Sequence, residues 1–193
     1  MKIRAALFPL VVAVTVTALC SAQQSTSSSV ESVNRKVQNL ERNAAQAQPD
    51  QTPTTFTQQE INDYIASGQV KLPKGLQSLR LSSQPGVITG NTRVDFDELK
   101  AGKSSANPLL SVFSGVHDVV VVAHARGAGH TGYVQVDSVS LDGVDIPRFV
   151  LQLFVEKFVQ PKYPNVGLDS QFALPYKIDT AVVGQNQLTA TQK

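Results

Sequence analysis

The chain has 193 residues, of which 17 are basic and 15 acidic, with one cysteine and no tryptophan. This length suits a single domain of ordinary size, and one cysteine excludes an internal disulfide framework. The small net charge, without runs of Lys and Arg, excludes the class of nucleic-acid-binding proteins that relies on a basic surface.

The N-terminus is predicted to be a secretory signal peptide over residues 1–22. A basic start precedes the apolar run Ala5–Ala18, which is shorter than the ~20 residues that a membrane-spanning helix needs. Cleavage after Ala22 is favoured over lipid attachment at Cys20, because the bulky Leu19 precedes that cysteine. Cleavage predicts a periplasmic or secreted protein with equal numbers of basic and acidic residues and no transmembrane span.

Residues 23–55 are predicted to be separate from the main domain. Gln23–Ser29 is rich in Ser and Gln and is predicted to be disordered. Apolar residues then recur every three or four positions over residues 30–47, which indicates a marginal, solvent-exposed helix or, alternatively, a helix that docks an envelope protein. Two prolines in Gln48–Thr55 end this helix and form a linker.

The stretch Phe56–Gly68 (FTQQEINDYIASG) contains a well-specified helix. Thr57 and Glu60 have the spacing of a capping box, in which each side chain accepts a hydrogen bond from a backbone N–H of the first turn. Ile61 lies where it can pack against the phenylalanine that precedes the cap, and the final glycine suits a left-handed C-terminal residue. A single domain over residues 56–193 is therefore predicted to begin here.

Three hairpins follow, marked by alternating apolar residues and by Gly, Pro or Asn turns. The predicted strands are Leu76–Ser83 with Val87–Leu99, Val116–Gly127 with Tyr133–Gly143, and a terminal pair around Gly184–Asn186. Asn107 and Pro108 are predicted to open a short helix between the first two hairpins. Val120 and Val122 make their strand apolar on both faces, which predicts a central strand.

The helix predicted from Pro147 to Gln160 is the most apolar segment of the main domain. One interpretation is an ordinary buried core helix. The functional interpretation is a helix that lines an apolar groove against the sheet. The residues predicted to bind the ligand are Phe149, Leu153, Phe154, Phe158, Val120 and Val122. The predicted fold is α+β, with a curved antiparallel sheet of about six strands packed around two main helices and preceded by a separate N-terminal helix.

Candidate catalytic and metal-binding residues do not converge in the sequence. His117 and His124 have opposite parity on one strand and so point to opposite faces. The Asp142-Gly143 pair fits a hairpin turn better than a calcium loop. Ser114 lacks the glycine-flanked turn of a hydrolase nucleophile. We therefore expect no catalytic residue, no metal site, no cofactor and no enzyme activity.

The order of these elements resembles bacterial exported proteins of the tubular lipid-binding type. The resemblance rests on the capped helix FTQQEINDYI, the long antiparallel strands, the apolar helix opened by Ile146-Pro147 and the terminal VVGQNQLTAT, over residues 56–191. It implies a non-enzymatic periplasmic or envelope protein that binds a lipid or other hydrophobic ligand in an apolar cleft. The alternative is a structural or adaptor module of the cell envelope that contacts a partner through residues 30–47.

Overall fold

The structure is a computed structural model that describes residues 13–103 and 106–193, with side chains from residue 27 onward. The predicted signal peptide falls largely on residues 1–12, outside the described residues, and stays a prediction. None of the helices in the described part of the chain is both long enough and apolar enough to cross a membrane.

Four α-helices and nine β-strands form within the described residues. The helices are α1 (Ala13–Ala44), α2 (Gln58–Ala66), α3 (Phe96–Leu99) and α4 (Arg148–Phe154). The strands are β1 (Thr54–Thr57), β2 (Leu76–Gln84), β3 (Val87–Asp95), β4 (Val116–Ala128), β5 (Thr131–Leu141), β6 (Val144–Asp145), β7 (Asp169–Ala173), β8 (Ile178–Gly184) and β9 (Gln187–Gln192). A 3₁₀ turn spans Pro108–Leu110, and a π-helical segment, Val155–Val159, continues α4. The predicted antiparallel α+β class is confirmed, but the sheet has nine strands rather than about six.

Strand β4 lies at the centre of this sheet. β5 pairs along one of its edges, whereas β3 pairs with the first part of the other edge. At Arg126 and Gly127 the partner on that second edge changes from β3 to β8. The β2–β3 and β8–β9 hairpins therefore border β4 one after the other. The remaining strands extend the sheet from β9 and β5.

Helix α2 begins as its sequence predicts and covers an exposed strand edge. Thr57 Oγ1 accepts from the backbone N–H of Glu60 at 3.2 Å, and Glu60 Oε2 accepts from the N–H of Thr57 at 2.8 Å. The Asn62 side chain accepts from the N–H of Leu81 at 2.7 Å and donates to its carbonyl at 2.8 Å. These last two bonds satisfy outward-facing backbone groups of β2, which would otherwise be open to pairing with another strand.

Helix α1 differs from the prediction, which was a disordered segment followed by a separate, solvent-exposed helix. It is continuous over Ala13–Ala44 and includes Gln23–Ser29, which was predicted to be disordered. Val33 and Leu40 are each only 5% exposed, and Leu40 packs with Ile178 of β8. This part of the apolar stripe of α1 is buried because the partners of Leu40 come from the distant C-terminal hairpin.

Two boundaries also differ from the prediction, namely the end of β3 and the start of the main domain. β3 ends at Asp95, because the Asp95 carboxylate accepts hydrogen bonds from the N–H groups of Asp97 and Glu98, both at 3.0 Å, and so caps α3. The predicted linker Gln48–Thr55 overlaps β1, Thr54–Thr57, which pairs with β9. The domain boundary predicted after residue 55 therefore falls inside a strand.

The main core lies between α4 and one face of the sheet. Phe113 is 1% exposed, and its ring centroid lies 4.2 Å from that of Phe154. Phe154 also contacts Phe96 and Phe158, with centroid distances of 5.5 and 5.3 Å. Complete burial of a side chain of this size contributes about 1.5–3 kcal/mol. This aromatic cluster packs α4 against α3 and the loop before β4, whereas strand residues such as Val119 and Leu141 complete the core on the sheet side.

Candidate functional site

Of the four ligand-binding residues predicted on the helix 147–160, three lie in or against the main core and one lies at the surface. Phe154 and Phe158 belong to the main core, and Leu153 packs against it. Phe149, in contrast, is 60% exposed at the start of the helix. Only part of the predicted helical surface therefore faces the sheet.

Val120 and Val122 lie on the opposite face of the sheet from α4. Val119 and Val121 pack in the main core, and successive side chains of a strand point to opposite faces. The register partners of Val120 and Val122 on β3 and β5 are Asn91, Thr89, Ser140 and Ser138. The six predicted residues consequently do not line one cleft, because strand alternation separates the two valines from the helix.

An apolar cleft of about 550 Å³ lies where the π-helical end of α4 meets the loop before β2. We name it the π-turn cleft. Its lining residues are Pro73, Lys74, Leu76, Leu99, Phe158, Val159, Lys162, Tyr163 and Val166. Phe158 is the member of the predicted set that lines it. Through this ring the cleft adjoins the aromatic cluster of the main core.

Gly75 positions one wall of the π-turn cleft. Its φ is +90°, and its carbonyl accepts from the N–H of Asp95 at 2.7 Å. A Cβ at this position would lie 2.5 Å from the carbonyl oxygen of Asp95 and 2.9 Å from the Cβ of Leu99. Only glycine combines this backbone conformation with so close an approach. The contact holds the preceding Pro73 and Lys74 beside α3.

The π-helical segment forms the opposite wall. The N–H of Gln160 donates to the carbonyl of Val155 at 2.9 Å, which is the i to i+5 bond of a π-helix. The N–H of Tyr163 then donates to the carbonyl of Val159 at 2.9 Å, so the chain turns tightly at the mouth of the cleft. π-Helical turns are rare and occur frequently at functional sites. This local geometry is a second feature that singles out the cleft.

Two lysines provide the charge of the cleft lining. Lys162 Nζ donates to the carbonyl of Leu99 at 2.8 Å, which ties the two walls together. Lys74 lines the same cleft from the loop before β2. The lining residues thus carry two positive charges and no carboxylate.

Two further lysines flank the aromatic end of the cleft. The ammonium groups of Lys100 and Lys157 lie 6.0 and 5.8 Å from the ring centroid of Phe158. Lys100 also pairs with Asp97 at 3.2 Å. The backbone N–H of Gly115 and the Lys100 ammonium lower the pKa of Asp97, which therefore stays ionised. The surroundings of Phe158 remain basic even with this carboxylate included.

Other cavities in the described residues suit an apolar ligand less well. A groove of about 960 Å³ beside β2 includes the charged residues Arg80, Arg93 and Asp118. A cavity of about 500 Å³ over β4, β5 and β7 includes residues with charged or polar side chains, such as Arg126, Asp169 and Gln135. An apolar cavity between α2 and the sheet holds only about 280 Å³. The π-turn cleft has mostly apolar walls and, at about 550 Å³, a larger volume than the apolar cavity beside α2.

Each histidine lies beside an aspartate rather than beside another histidine. His117 Nδ1 is 2.6 Å from Asp142 Oδ2, and its Nε2 is 2.8 Å from the carbonyl of Ser114. The Asp142 carboxylate and this carbonyl raise the pKa of His117. The Ser114 hydroxyl donates instead to the carbonyl of Ser111 at 2.8 Å.

The other two histidine–aspartate pairs are His124–Asp137 and His130–Asp179, with N–O distances of 2.7 and 3.8 Å. Within residues 13–103 and 106–193, no group of three or more His, Cys, Asp or Glu side chains could hold a metal ion.

Comparison with protein-family models, curated proteins and solved structures found no match to this chain. The resemblance to tubular lipid-binding proteins therefore stays a prediction.

The cleft residues other than Phe158 were not predicted from the sequence. The sequence feature that could have indicated these residues is a pair of Pro-Lys dipeptides next to apolar residues, Pro73-Lys74 and Pro161-Lys162. Each dipeptide alone marks the end or the start of an element. Their meeting in one cleft depends on how the β2–β3 hairpin and α4 pack, which neither stretch encodes locally.

Proposed function

We propose that this protein binds a hydrophobic ligand in the π-turn cleft, without converting it chemically. The observation that carries the proposal is a cleft of about 550 Å³ in which seven of nine lining residues are apolar or aromatic. Small-molecule sites typically have volumes of about 300–1,000 Å³ and mostly apolar walls. Each methylene group removed from water there would contribute about 0.8 kcal/mol to binding.

Exposed apolar side chains at the mouth of the cleft support this proposal. Tyr163 and Val166 are 45% and 47% exposed. A ligand that covers them removes apolar surface from water, which is favourable. The predicted signal peptide would put this activity in the periplasm or cell envelope, and the predicted resemblance to tubular lipid-binding proteins agrees with a lipid-like ligand.

An adaptor role through residues 30–47 is the weaker proposal. Val33 and Leu40, which form the apolar stripe of this helix, are buried within the chain. A partner would have to contact the polar face that remains exposed, which includes Glu31 and Arg35. No feature of that face favours one kind of partner.

The first test is native mass spectrometry of the protein purified from a bacterial envelope, followed by extraction with organic solvent. We expect a co-purifying hydrophobic molecule in a one-to-one ratio. The matching solution test uses the neutral fluorescent probe N-phenyl-1-naphthylamine, whose fluorescence increases when it moves from water into an apolar site.

Val166→Asp tests the location of the site. The side chain is 47% exposed, so the variant should fold, but its carboxylate would enter an apolar cleft. Because the neutral probe would remove this carboxylate from water, which is costly, we expect probe affinity to fall by at least about tenfold. The matched control is Val144→Asp, at a site that is 66% exposed and outside the cleft, which should bind the probe like the wild type. Unchanged binding in both variants would reject the π-turn cleft as the site.

A further inference from the structure

The basic rim of the π-turn cleft points to the class of ligand. We infer that the ligand is a single-chain anionic amphiphile, with its acyl or alkyl chain in the cleft and its carboxylate or phosphate head at Lys74 and Lys162. This inference rests on the proposed function and deepens it, because the apolar walls alone do not distinguish an anionic ligand from a neutral one.

The ammonium group of Lys162 is positioned to donate hydrogen bonds to an anion. One of its three N–H groups is used by the carbonyl of Leu99 at 2.8 Å, which leaves two donors free of that bond. The carbonyl also fixes the position of the ammonium at the wall of the cleft. A donor held in this way loses less conformational entropy when a ligand binds than a freely moving lysine does.

Lys74 adds a second positive charge to the same lining. Within the described residues its ammonium forms neither a hydrogen bond nor an ion pair, and the side chain is exposed at the cleft mouth. Two cations that line one cleft without a carboxylate repel each other. An anionic head bound between them would relieve this repulsion and gain charge-assisted hydrogen bonds.

Further positive charge lies beside the cleft. Lys100 and Lys157 flank the ring of Phe158, which lines the cleft. Their charges add to the positive potential within the cleft, which attracts an anion over a longer range than a hydrogen bond. The volume of about 550 Å³ matches a small molecule and therefore favours one chain over the two chains of a phospholipid.

The test compares two ligands of equal chain length, dodecanoate and the neutral ester glycerol monododecanoate, both below their aggregation limits. Displacement of N-phenyl-1-naphthylamine from the full chain reports both affinities. We expect dodecanoate to bind at least about tenfold more tightly, since charge-assisted hydrogen bonds are roughly twice as strong as neutral ones. Raising the salt concentration from about 20 mM to about 500 mM should reduce this preference, because exposed charges are then screened.

Matched lysine variants locate the head group. The double variant Lys74→Gln/Lys162→Gln should lose the preference for dodecanoate but still bind the neutral ester. Lys71→Gln changes a nearby exposed lysine that does not line the cleft, and it should retain the preference. Dodecyl phosphate and dodecanoate, tested side by side, identify the favoured head.

Three outcomes would overturn the inference. Equal affinity of the wild type for dodecanoate and the neutral ester would do so and would leave the proposed function intact. A preference that survives in the double variant would place the anionic head elsewhere. If the probe itself does not bind and inorganic phosphate alone does, the proposed function fails as well, and the lysines form only an anion site.

Discussion

Glu60 is the residue that joins α2 to α1. Its carboxylate accepts from Lys36 Nζ at 2.6 and 2.7 Å and from the Ser32 hydroxyl at 2.6 Å, in addition to its capping bond with Thr57. Burial alone would raise the pKa of Glu60. The hydrogen bonds from Lys36, Ser32 and the N–H of Thr57, with the Lys36 charge, outweigh burial and lower the pKa to about 2. One side chain therefore serves a helix cap and a contact between helices.

This pKa predicts how the stability depends on pH. The folded-state pKa of Glu60 lies below its ordinary value of 4.5, so the ionised form stabilises the fold above about pH 4.5 and this contribution is lost as the pH falls toward 2. The Glu60 and Lys36 side chains are 13% and 28% exposed, so solvent screening is limited and the contribution is about 2–3 kcal/mol.

Glu60→Gln should therefore lower the free energy of unfolding by about 2 kcal/mol at pH 7, and by less than half of that near pH 3. Glutamine also suits a capping box, so the variant removes the charge while the cap can remain. Urea titrations of both proteins at the two pH values measure the difference. Glu41→Gln, at an exposed position of α1, is the control and should match the wild type. An equal loss at both pH values would show that the charge is not the source of the stabilisation.

At the scale of elements, α1 illustrates how a weak local pattern becomes a packed helix. Leu40 packs with Ile178 and Ala190, and the partly buried Phe56 and Leu174 complete this second, smaller core. Gln192, near the end of β9, donates to the carbonyl of Leu40 at 2.8 Å. The helix is thus attached to the C-terminal hairpin by both apolar and polar contacts.

Leu40→Ala should destabilise the protein by about 2–4 kcal/mol, because a large side chain is removed from a closed cluster. Gln38→Ala, two residues away at an exposed position, should change the free energy of unfolding by less than about 0.5 kcal/mol. Thermal or urea unfolding followed by circular dichroism measures both. If Leu40→Ala is as stable as Gln38→Ala, α1 is not packed on the sheet in solution.

At the scale of the whole molecule, ligand binding and stability are linked. A ligand that binds the folded state alone adds about 2.7 kcal/mol at a free concentration one hundred times its Kd. For a chain of 193 residues this corresponds to a rise in Tm of roughly 5–10 °C.

Differential scanning fluorimetry with dodecanoate tests this link on the intact protein. The wild type should show the rise in Tm, and Val144→Asp should show the same rise. Val166→Asp should show no more than about half of that rise at equal ligand concentration, because an affinity at least tenfold weaker leaves at most about 1.4 kcal/mol of stabilisation. A rise of equal size in all three proteins would indicate that dodecanoate acts away from the π-turn cleft.

Short-range sequence features were sufficient to predict several helices and strands. The spacing of Thr57 and Glu60 determined the start of α2, and Asn107 caps the 3₁₀ turn by accepting from the N–H of Leu109 at 3.0 Å. Such features depend on residues three or four positions apart, so the sequence contains all that they need. The alternation of apolar residues likewise identified the three hairpins, since it reports directly on strand geometry.

The π-turn cleft, in contrast, is determined by tertiary structure. Phe158 was predicted because it lies on a conspicuously apolar helix, whereas Lys74, Leu99 and Lys162 come from segments that are far apart in the chain. Val120 and Val122 were wrongly grouped with the helix, because only the packing of α4 decides which face of β4 is buried. The sequence by itself determined α2, the three hairpins and the α+β class. The tertiary structure decided which faces meet and which short strands, such as β1, join the sheet, because packing and strand pairing depend on contacts between distant residues that no local pattern records.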